Sequence, residues 1–244
     1  MIDLYYWPTA NGKKVAILLE EACIAYRVVP VNITIGSQLT AEFLKLNPNH
    51  RIPVIVDDAP SGGGSPLTIF ESGAILFYLA EKAHCFWPQT PREKYSVAQW
   101  VIWQVANMGP KIGEYNHFHR LGGREGDQSY AQRRFDDETN RLYGVLNNGL
   151  CAQAFLAAEG FSIADMVVFP WANNWRMHGQ DITLFPHVER WLELVAARPG
   201  VQRGMEVGKD LVVDPASFSP EQQDRFRKLI RNQRAIPAPS EVKL

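Results

Sequence analysis

Residues 47–57 read Asn-Pro-Asn-His-Arg-Ile-Pro-Val-Ile-Val-Asp, a polar turn that leads directly into β-branched side chains. Such a run beside a turn is typical of a buried strand, so we expect residues 51–56 to form one, with Pro53 near its start. Similar patterns predict strands at residues 2–6, 26–31 and 67–70, and apolar residues at helical spacing predict helices at 13–22, 39–46 and 72–83. The order β-α-β-α-β-β-α predicts a small α/β domain with a mixed sheet over residues 1–86.

A change in composition between residues 86 and 91 marks the predicted end of this α/β domain. Strand patterns nearly vanish afterwards, and an all-helical domain is predicted over residues 91–210. Its helices are expected at residues 94–108, 130–146, 163–178 and 188–198. The tail, residues 211–244, contains one predicted helix at 220–231, with Ser219 as N-cap and Pro220 at its first position. The last stretch, residues 235–244, is expected to be disordered.

The composition is that of an ordinary globular protein with a sizeable core. Of the 244 residues, 46% are hydrophobic and 21% are charged, and the formal net charge is −1. A charge so close to zero provides no basic field, so we expect neither nucleic acid nor an anionic membrane as a partner. No apolar run approaches the roughly 20 residues that span a bilayer. The N-terminal MIDLYYWP lacks the basic and apolar regions of a secretory signal.

The cysteine content indicates a reducing environment. The three cysteines, Cys23, Cys85 and Cys151, are odd in number and widely spaced, so a disulfide framework is not expected. The sequence has no C-x-x-C, and its six histidines lack metal-ligand spacing with a carboxylate, so no metal site is predicted. These features fit a reducing compartment, and we expect a cytoplasmic location.

The first candidate site is the turn Thr9-Ala10-Asn11-Gly12, which leads straight into the first predicted helix. Free N–H groups at a helix N-terminus favour an anion by roughly 0.3–1 kcal/mol, and a thiolate is such an anion. The turn contains no cysteine, so the thiol has to come from a ligand. Thr9 could donate a hydroxyl proton and Asn11 an amide proton to its sulfur. The alternative is purely structural, with Asn11-Gly12 as turn chemistry and Thr9 as an N-cap.

Two further sites could extend this one into a binding surface. If the bond before Pro53 is cis, the backbone of Ile52 could pair with an extended peptide, although only about 5–6% of such bonds are cis. Ser72 is an N-cap candidate at a helix start that also suits a carboxylate, and Glu71 could hold an ammonium. One ligand with an α-amino acid end, a peptide middle and a thiol would join the three sites. Glutathione is such a molecule.

Four motifs, taken together and in order, resemble those of the cytosolic glutathione transferases. They are YYWPTANGKK at residues 5–14, NPNHRIPVIVD at 47–57, FESGAILFYLAEK at 70–82 and FSIADM at 161–166. The resemblance covers about residues 1–205. It implies a thioredoxin-like α/β N-terminal domain followed by an all-α C-terminal domain, usually in a homodimer. The TANG turn, GSQ at 36–38 and HRIPVIVD also resemble the bacterial nu class, the yeast-prion-like transferases with disulfide-bond oxidoreductase activity.

The resemblance to the nu class implies a role for each matching residue. Thr9 and Asn11 correspond to the catalytic residues on the sulfur side of glutathione, where other classes have tyrosine, serine or cysteine. The resemblance also implies glutathione-binding residues along the rest of the ligand. Gln38 and Arg51 correspond to positions near the glycine end, and Ile52, followed by a cis Pro53, to the position that pairs with the peptide backbone. Glu71 and Ser72 correspond to the binders of the γ-glutamyl end, and Arg134, with Arg133 as the adjacent candidate, to an arginine of the helical domain. Ala10 departs from the pattern, because the nu class often has proline there.

Two segments of the helical domain complete the prediction. In this fold, residues 111–119 would overhang the site, so Tyr115, His117 and Phe118 are candidates for a second-substrate pocket; the alternative is plain surface. Ser162 and Asp165 form a predicted capping box at a helix start. Their role is structural, and we expect loss of Asp165 to cost roughly 0.5–2 kcal/mol of stability.

The predicted function is the glutathione-dependent reduction of disulfides. A bound glutathione thiolate attacks a substrate disulfide, and a second glutathione resolves the mixed disulfide, so the expected partners are glutathione, its disulfide and a small disulfide or electrophile. One rival is an ordinary transferase that conjugates electrophiles or reduces hydroperoxides. Another is a non-catalytic regulator that binds glutathione on the same fold.

Overall fold

The structure, a computed structural model, describes residues 1–121, 126–157, 160–212 and 217–231. Its N-terminal part contains one four-stranded sheet in the order β2-β1-β3-β4. The strands are β1 (Ile2–Tyr6), β2 (Tyr26–Pro30), β3 (Val54–Asp57) and β4 (Leu67–Phe70). Strands β1 and β2 pair in parallel, whereas β3 is antiparallel to both β1 and β4. The predicted mixed sheet is therefore confirmed, while the disorder predicted at 235–244 lies outside the described residues.

Three helices accompany the sheet: α1 (Ala10–Glu21), α2 (Ala41–Leu46) and α3 (Ser72–Ala83). Helix α1 carries an apolar stripe that includes Val15, Leu18 and Leu19, all fully buried. Burial of each such side chain contributes about 1.5–3 kcal/mol, so this face holds α1 against the core. Gly12 is required in the first turn, because a Cβ there would lie 2.5 Å from the carbonyl oxygen of Trp7.

The third strand begins later than the sequence predicts, at Val54 rather than at residue 51. The preceding residues form a turn instead. Asn47 donates from Nδ2 to the carbonyl of Arg51 at 2.7 Å, and Nδ1 of His50 lies 3.0 Å from the carbonyl oxygen of Gln38. The bond between Ile52 and Pro53 is cis, as the family resemblance implies.

The remainder of the described chain is helical. Its α-helices are α4 (Pro91–Trp103), α5 (Gly109–Asn116), α6 (Ser129–Gly149), α7 (Ile163–Ala172), α8 (Pro186–Ala196), α9 (Pro199–Glu206) and α10 (Pro220–Arg231). The predicted fold class, a thioredoxin-like α/β domain followed by an all-α domain, is confirmed. The domain limits proposed at residues 86, 91 and 210 stay predictions.

Two long predicted helices are not regular α-helices over their whole predicted length. The helix expected at 94–108 is interrupted after Trp103 by a π-helical turn, Gln104–Met108. The helix expected at 163–178 ends at Ala172, and a 3₁₀ turn, Trp175–His178, follows it. The tail helix has the predicted bounds, and the hydroxyl oxygen of Ser219 accepts the N–H of Gln222 at 3.3 Å.

The capping box at the start of α7 is confirmed, and it is part of a larger buried network. The hydroxyl of Ser162 accepts the N–H of Ala164, while the carboxylate of Asp165 accepts the N–H of Ser162. Asp165 also accepts the N–H of Leu156 and the indole N–H of Trp191, at 3.0 and 2.9 Å. Burial raises the pKa of Asp165 to about 6, against the opposing effect of these donors.

Helices α1 and α9 hold the two parts of the chain together. A Cβ on Gly204 would lie 2.5 Å from the Cα of Ile17, so the backbones of the two helices meet closely. Glu21 forms an ion pair with Arg198 at 2.6 Å beside this contact. The packing places the N-terminus of α1 opposite α7. Within the described residues, no helix is both long and apolar enough to cross a lipid bilayer.

Candidate active site between the sheet and the helices

A cavity of about 840 Å³ lies between the two parts of the chain. This volume is within the range of small-molecule sites. The sheet side contributes Asn11, Lys14, Gln38, Arg51, Ile52, Pro53, Glu71 and Ser72, the helical side contributes Gln104, Pro110, His117, Phe118 and Trp171, and the tail helix contributes Phe226, Leu229 and Ile230. The fold therefore brings most of the predicted site residues to one space.

Asn11 stands at the start of α1 with its amide held in one orientation. The indole Nε1 of Trp171, on α7, donates to Oδ1 of Asn11 at 2.9 Å. Because an indole N–H can only donate, the oxygen of the amide must face Trp171. The Nδ2 group of Asn11 makes no hydrogen bond within the described part of the chain, and it remains available as a donor in the cavity.

Thr9 has the structural role that the sequence left open. It is the N-cap of α1, and its hydroxyl oxygen accepts the N–H of Gly12 at 3.4 Å. Thr9 does not line the cavity. An accepting hydroxyl still has its own proton to donate, so this geometry leaves the predicted catalytic role as a prediction.

The start of α3 differs from the sequence prediction by one residue. Glu71, not Ser72, is the N-cap, and no side chain caps the helix. Ser72 is the first residue of α3, and its hydroxyl oxygen instead accepts a hydrogen bond from Lys14. Glu71 has a φ of 71°, a conformation that is uncommon outside glycine and that clusters at functional sites. The uncapped N–H groups of α3 therefore suit an anion in the cavity.

The predicted glycine-end residues lie along one side of the cavity. Gln38, Arg51 and Ile52 all line it. Oε1 of Gln38 is buried and has no hydrogen-bond partner within the described residues. A buried unpartnered oxygen is costly, and a donor from a ligand would relieve that cost.

The predicted second-substrate residues divide into two groups. His117 and Phe118 line the cavity, but Tyr115 does not. Tyr115 is buried and stacks on His119 with ring centroids 4.4 Å apart, because residues four apart share one face of a helix.

Arg134 is exposed on α6 and does not line the cavity, and the same holds for Arg133. These two arginines stay candidates on the basis of resemblance only.

Sequence reasoning missed two sets of cavity residues. Lys14 and Gln104 lie at its floor, where Nζ of Lys14 donates to Oε1 of Gln104 at 2.5 Å. Phe226, Leu229 and Ile230 of α10 form one wall. A lysine within the buried stripe of α1 was a detectable signal, whereas the place of the tail helix depends on tertiary packing.

None of the described residues that line the cavity is a cysteine. Cys23 and Cys151 are exposed, Cys85 is half-buried, and none of the three lines the cavity. No group of three or more metal-ligating side chains occurs among the residues that the structure describes. Chemistry at a thiol therefore requires that the thiol be brought by the ligand.

Comparison with known proteins gives the family. The model of the glutathione S-transferase N-terminal domain matches residues 1–81, and that of the C-terminal domain matches residues 100–199. The chain belongs to the glutathione transferase family. Among curated glutathione transferase relatives, the disulfide-bond oxidoreductase YfcG of Escherichia coli is 43% identical over 205 residues, which cover 84% of this chain and 94% of YfcG.

Solved structures of glutathione transferases agree with this assignment. One from Burkholderia graminis, with two glutathione molecules bound per subunit, has a TM-score of 0.80 and 39% identity, covering 85% of this chain and 88% of that one. One from Pseudomonas putida, with a glutathione disulfide bound per subunit, has a TM-score of 0.79 and 38% identity, covering 84% and 91%.

Proposed function

We propose that this glutathione transferase reduces disulfides with glutathione, using a bound glutathione thiolate rather than a cysteine of its own. The observation that carries the proposal is the Asn11 amide, held by Trp171 so that Nδ2 can donate in a cavity with no cysteine. The name of YfcG and the glutathione disulfide in the Pseudomonas putida structure support the same reaction.

The N-terminus of α1 supplies the environment of the thiolate. Nδ2 of Asn11 donates a hydrogen bond to the sulfur, and the positive end of the helix dipole favours the ionised form. Both effects lower the pKa of a bound thiol, and the thiolate is the form that attacks disulfides. The hydroxyl of Thr9 donates a second hydrogen bond to the same sulfur.

The N-terminus of α3 supplies the site for the γ-glutamyl end. The N–H groups of α3 and the hydroxyl of Ser72 take the α-carboxylate, because no side chain of the described residues makes a capping hydrogen bond to that helix start. The carboxylate of Glu71 takes the ammonium. Ile52 pairs with the cysteinyl backbone, and Gln38 and Arg51 take the glycine end. Arg134 approaches from the helical domain.

The reaction then proceeds by two thiol–disulfide exchanges. The bound thiolate attacks one sulfur of a small disulfide, forms a mixed disulfide with glutathione and releases the other sulfur as a thiolate. A second glutathione thiolate attacks the mixed disulfide, so that glutathione disulfide and the second substrate thiol leave. His117, Phe118 and the apolar wall of α10 enclose the space available to the substrate.

The experiment measures two reactions of the purified protein with glutathione. One is reduction of 2-hydroxyethyl disulfide, and the other is conjugation of chlorodinitrobenzene. We expect the disulfide to be turned over and the aromatic electrophile hardly at all. The variant with both Thr9→Ala and Asn11→Ala should lose most of the reductase activity while retaining its fold by circular dichroism.

Each other result supports a named rival. Faster conjugation of the aromatic identifies an ordinary transferase, and binding of glutathione without turnover of either substrate identifies a regulator. Wild-type reductase activity in the double variant would show that the α1 N-terminus does not hold the sulfur. Cys23→Ser is the matched control, because Cys23 is exposed and lies outside the cavity.

We also propose that the protein is a homodimer in the cytoplasm. Leu67 and Phe70 on β4 and Ile102 on α4 are large apolar side chains that are exposed in the single chain, and a partner would cover them. Free cysteines and a reaction that needs reduced glutathione both fit a reducing compartment. Light scattering at micromolar concentration tests the dimer, and a single-chain mass would exclude it.

A further inference from the structure

Lys14 is a buried lysine at the floor of the cavity, one turn beyond Asn11 on α1. Only 1% of its surface is exposed. Its Nζ donates to Oγ of Ser72 at 3.3 Å and to Oε1 of Gln104 at 2.5 Å. Both acceptors are neutral, and no carboxylate lies within ion-pair distance of Lys14 among the described residues. An ammonium without a counter-charge is costly to bury, so this site favours the arrival of an anion.

Gln104 gives an independent indication of a missing partner. It is fully buried, and it lines the cavity from the π-helical turn after α4. Because an ammonium can only donate, Oε1 of Gln104 faces Lys14 whenever the lysine is protonated. Nε2 is then left as a buried donor without a hydrogen-bond partner in the described structure. A ligand carboxylate could accept from it.

The charged groups around Lys14 come from several elements. Glu71 precedes α3, Arg51 precedes β3, and Glu114 and His117 face the cavity from α5 and the turn after it. Burial lowers the pKa of Lys14 to about 7, and the Glu71 carboxylate acts in the opposite direction. Without a ligand, Lys14 is therefore partly deprotonated at neutral pH.

We propose that Lys14 is a positioning residue for the α-carboxylate of glutathione, and that it takes up a proton from solvent as this carboxylate docks on Ser72 and the N-terminus of α3. The inference rests on the glutathione site proposed above. Lys14 lies behind Ser72 and provides a buried counter-charge for the carboxylate. It takes no part in the chemical step. The proton balance is simple: the neutral amine gains one proton, and the bound carboxylate remains ionised.

Proton uptake predicts a specific pH dependence of binding. Well below pH 7 the lysine is already protonated, so its effect on affinity is constant. Above pH 7 the lysine is neutral in the free protein, so binding also requires that it take up a proton from solvent. The Kd therefore rises with pH, by at most about tenfold per pH unit. The direction is opposite to that of thiol ionisation, which releases a proton and strengthens binding as the pH rises.

The experiment is isothermal titration calorimetry of the full chain with S-methylglutathione, whose blocked thiol cannot release a proton. Titrations in phosphate and in Mes at pH 6, and in phosphate and in Tris at pH 8, give the number of protons exchanged, because the two buffers of each pair differ in ionisation enthalpy. We expect the wild type to take up about one proton at pH 8 and much less at pH 6. Lys14→Met should bind about tenfold more weakly at pH 6 and show no proton uptake at either pH.

Lys13→Met is the matched control, because Lys13 is the neighbouring residue on α1 and does not line the cavity. It should keep the proton uptake of the wild type. Binding without uptake by the wild type at pH 8, or unchanged uptake in Lys14→Met, would overturn the inference and leave the glutathione site intact. Absence of binding at both pH values would remove the proposed glutathione site as well. The wild-type titrations decide the question even if Lys14→Met does not fold.

Discussion

The indole of Trp171 and the amide of Asn11 are joined by a 2.9 Å hydrogen bond across the boundary between the helical and the sheet-containing parts of the chain. The two residues are 160 positions apart in the sequence. The bond leaves the amide only one orientation, with its N–H groups directed away from Trp171. A residue of the helical part thus controls which atom of Asn11 faces the cavity.

Asn11→Asp should impair disulfide reduction more than Asn11→Ala. The aspartate can still accept from Trp171, but its second oxygen brings a negative charge toward the thiolate. We expect kcat/KM for 2-hydroxyethyl disulfide to fall by roughly tenfold for the alanine and by roughly a hundredfold for the aspartate. Trp171→Phe should give a smaller loss than either, because the amide remains and only its orientation is free. Equal losses for the two Asn11 variants would contradict this account.

Ser72→Ala should weaken glutathione binding, and it should lower stability only through the hydrogen bond that Lys14 loses. Ser72 is the first residue of α3 rather than its N-cap, so the helix does not depend on its hydroxyl. We expect the Kd of glutathione to rise by about tenfold, which corresponds to the loss of one hydrogen bond to a charged group. Ser162→Ala is the matched control, because its hydroxyl caps α7 outside the cavity. That control should lower the unfolding midpoint and leave the Kd unchanged.

Asp165→Ala should destabilise the fold by roughly 3 kcal/mol or more, beyond the 0.5–2 kcal/mol expected for an ordinary cap. Asp165 accepts from Leu156, Ser162 and Trp191, and each donor left buried without a partner adds to the loss. Urea unfolding monitored by tryptophan fluorescence measures the change. An equal loss in the free energy of unfolding in Asp165→Ala and Ser162→Ala would show that the hydrogen bonds of Asp165 outside the cap contribute nothing.

The burial of Lys14 should make stability depend on pH. Its pKa is about 7 in the folded protein, below the ordinary lysine value of the unfolded chain, so the unfolded state binds more protons between these two values. This group's contribution to the free energy of unfolding therefore rises with pH above 7, by up to about 1.4 kcal/mol per pH unit. Lys14→Met should lack that contribution. Urea unfolding of the wild type and of Lys14→Met at pH 7 and pH 9 measures this contribution. A difference in the free energy of unfolding between the two proteins that is the same at both pH values would refute the prediction.

Leu229→Ala should change the size of disulfide that the protein accepts. Leu229 lines the cavity from α10, beside Gly36, and Arg225 on the same helix donates to the carbonyl of Ile35 at 2.9 Å. A smaller side chain widens this wall, so kcat/KM should rise for a bulky aromatic disulfide relative to 2-hydroxyethyl disulfide. Lys228→Ala is the control, because Lys228 is exposed and pairs with Asp224. If the ratio of the kcat/KM values for the two disulfides is the same in the wild type, Leu229→Ala and Lys228→Ala, α10 does not limit access.

Features that depend on neighbours in the chain were predicted from the sequence. The order of strands and helices, the cap at Ser162, and the tail helix from Pro220 to Arg231 all follow from residues a few positions apart. Errors occurred where the backbone departs from a regular period. The left-handed φ of Glu71 has no clear local signal, whereas Gly109-Pro110 directly follows the π-helical turn and predicts a distortion of that helix.

The sequence by itself determined the family, the two-part fold and the turn that presents Asn11, because short-range patterns and ordered motifs carry that information. Only the tertiary structure decided how Asn11 is oriented, what Lys14 contacts and where α10 lies. These relationships join residues that are far apart in the chain, such as Lys14 and Gln104. They depend on how helices pack against one another, and packing is a property of the assembled core rather than of any one segment.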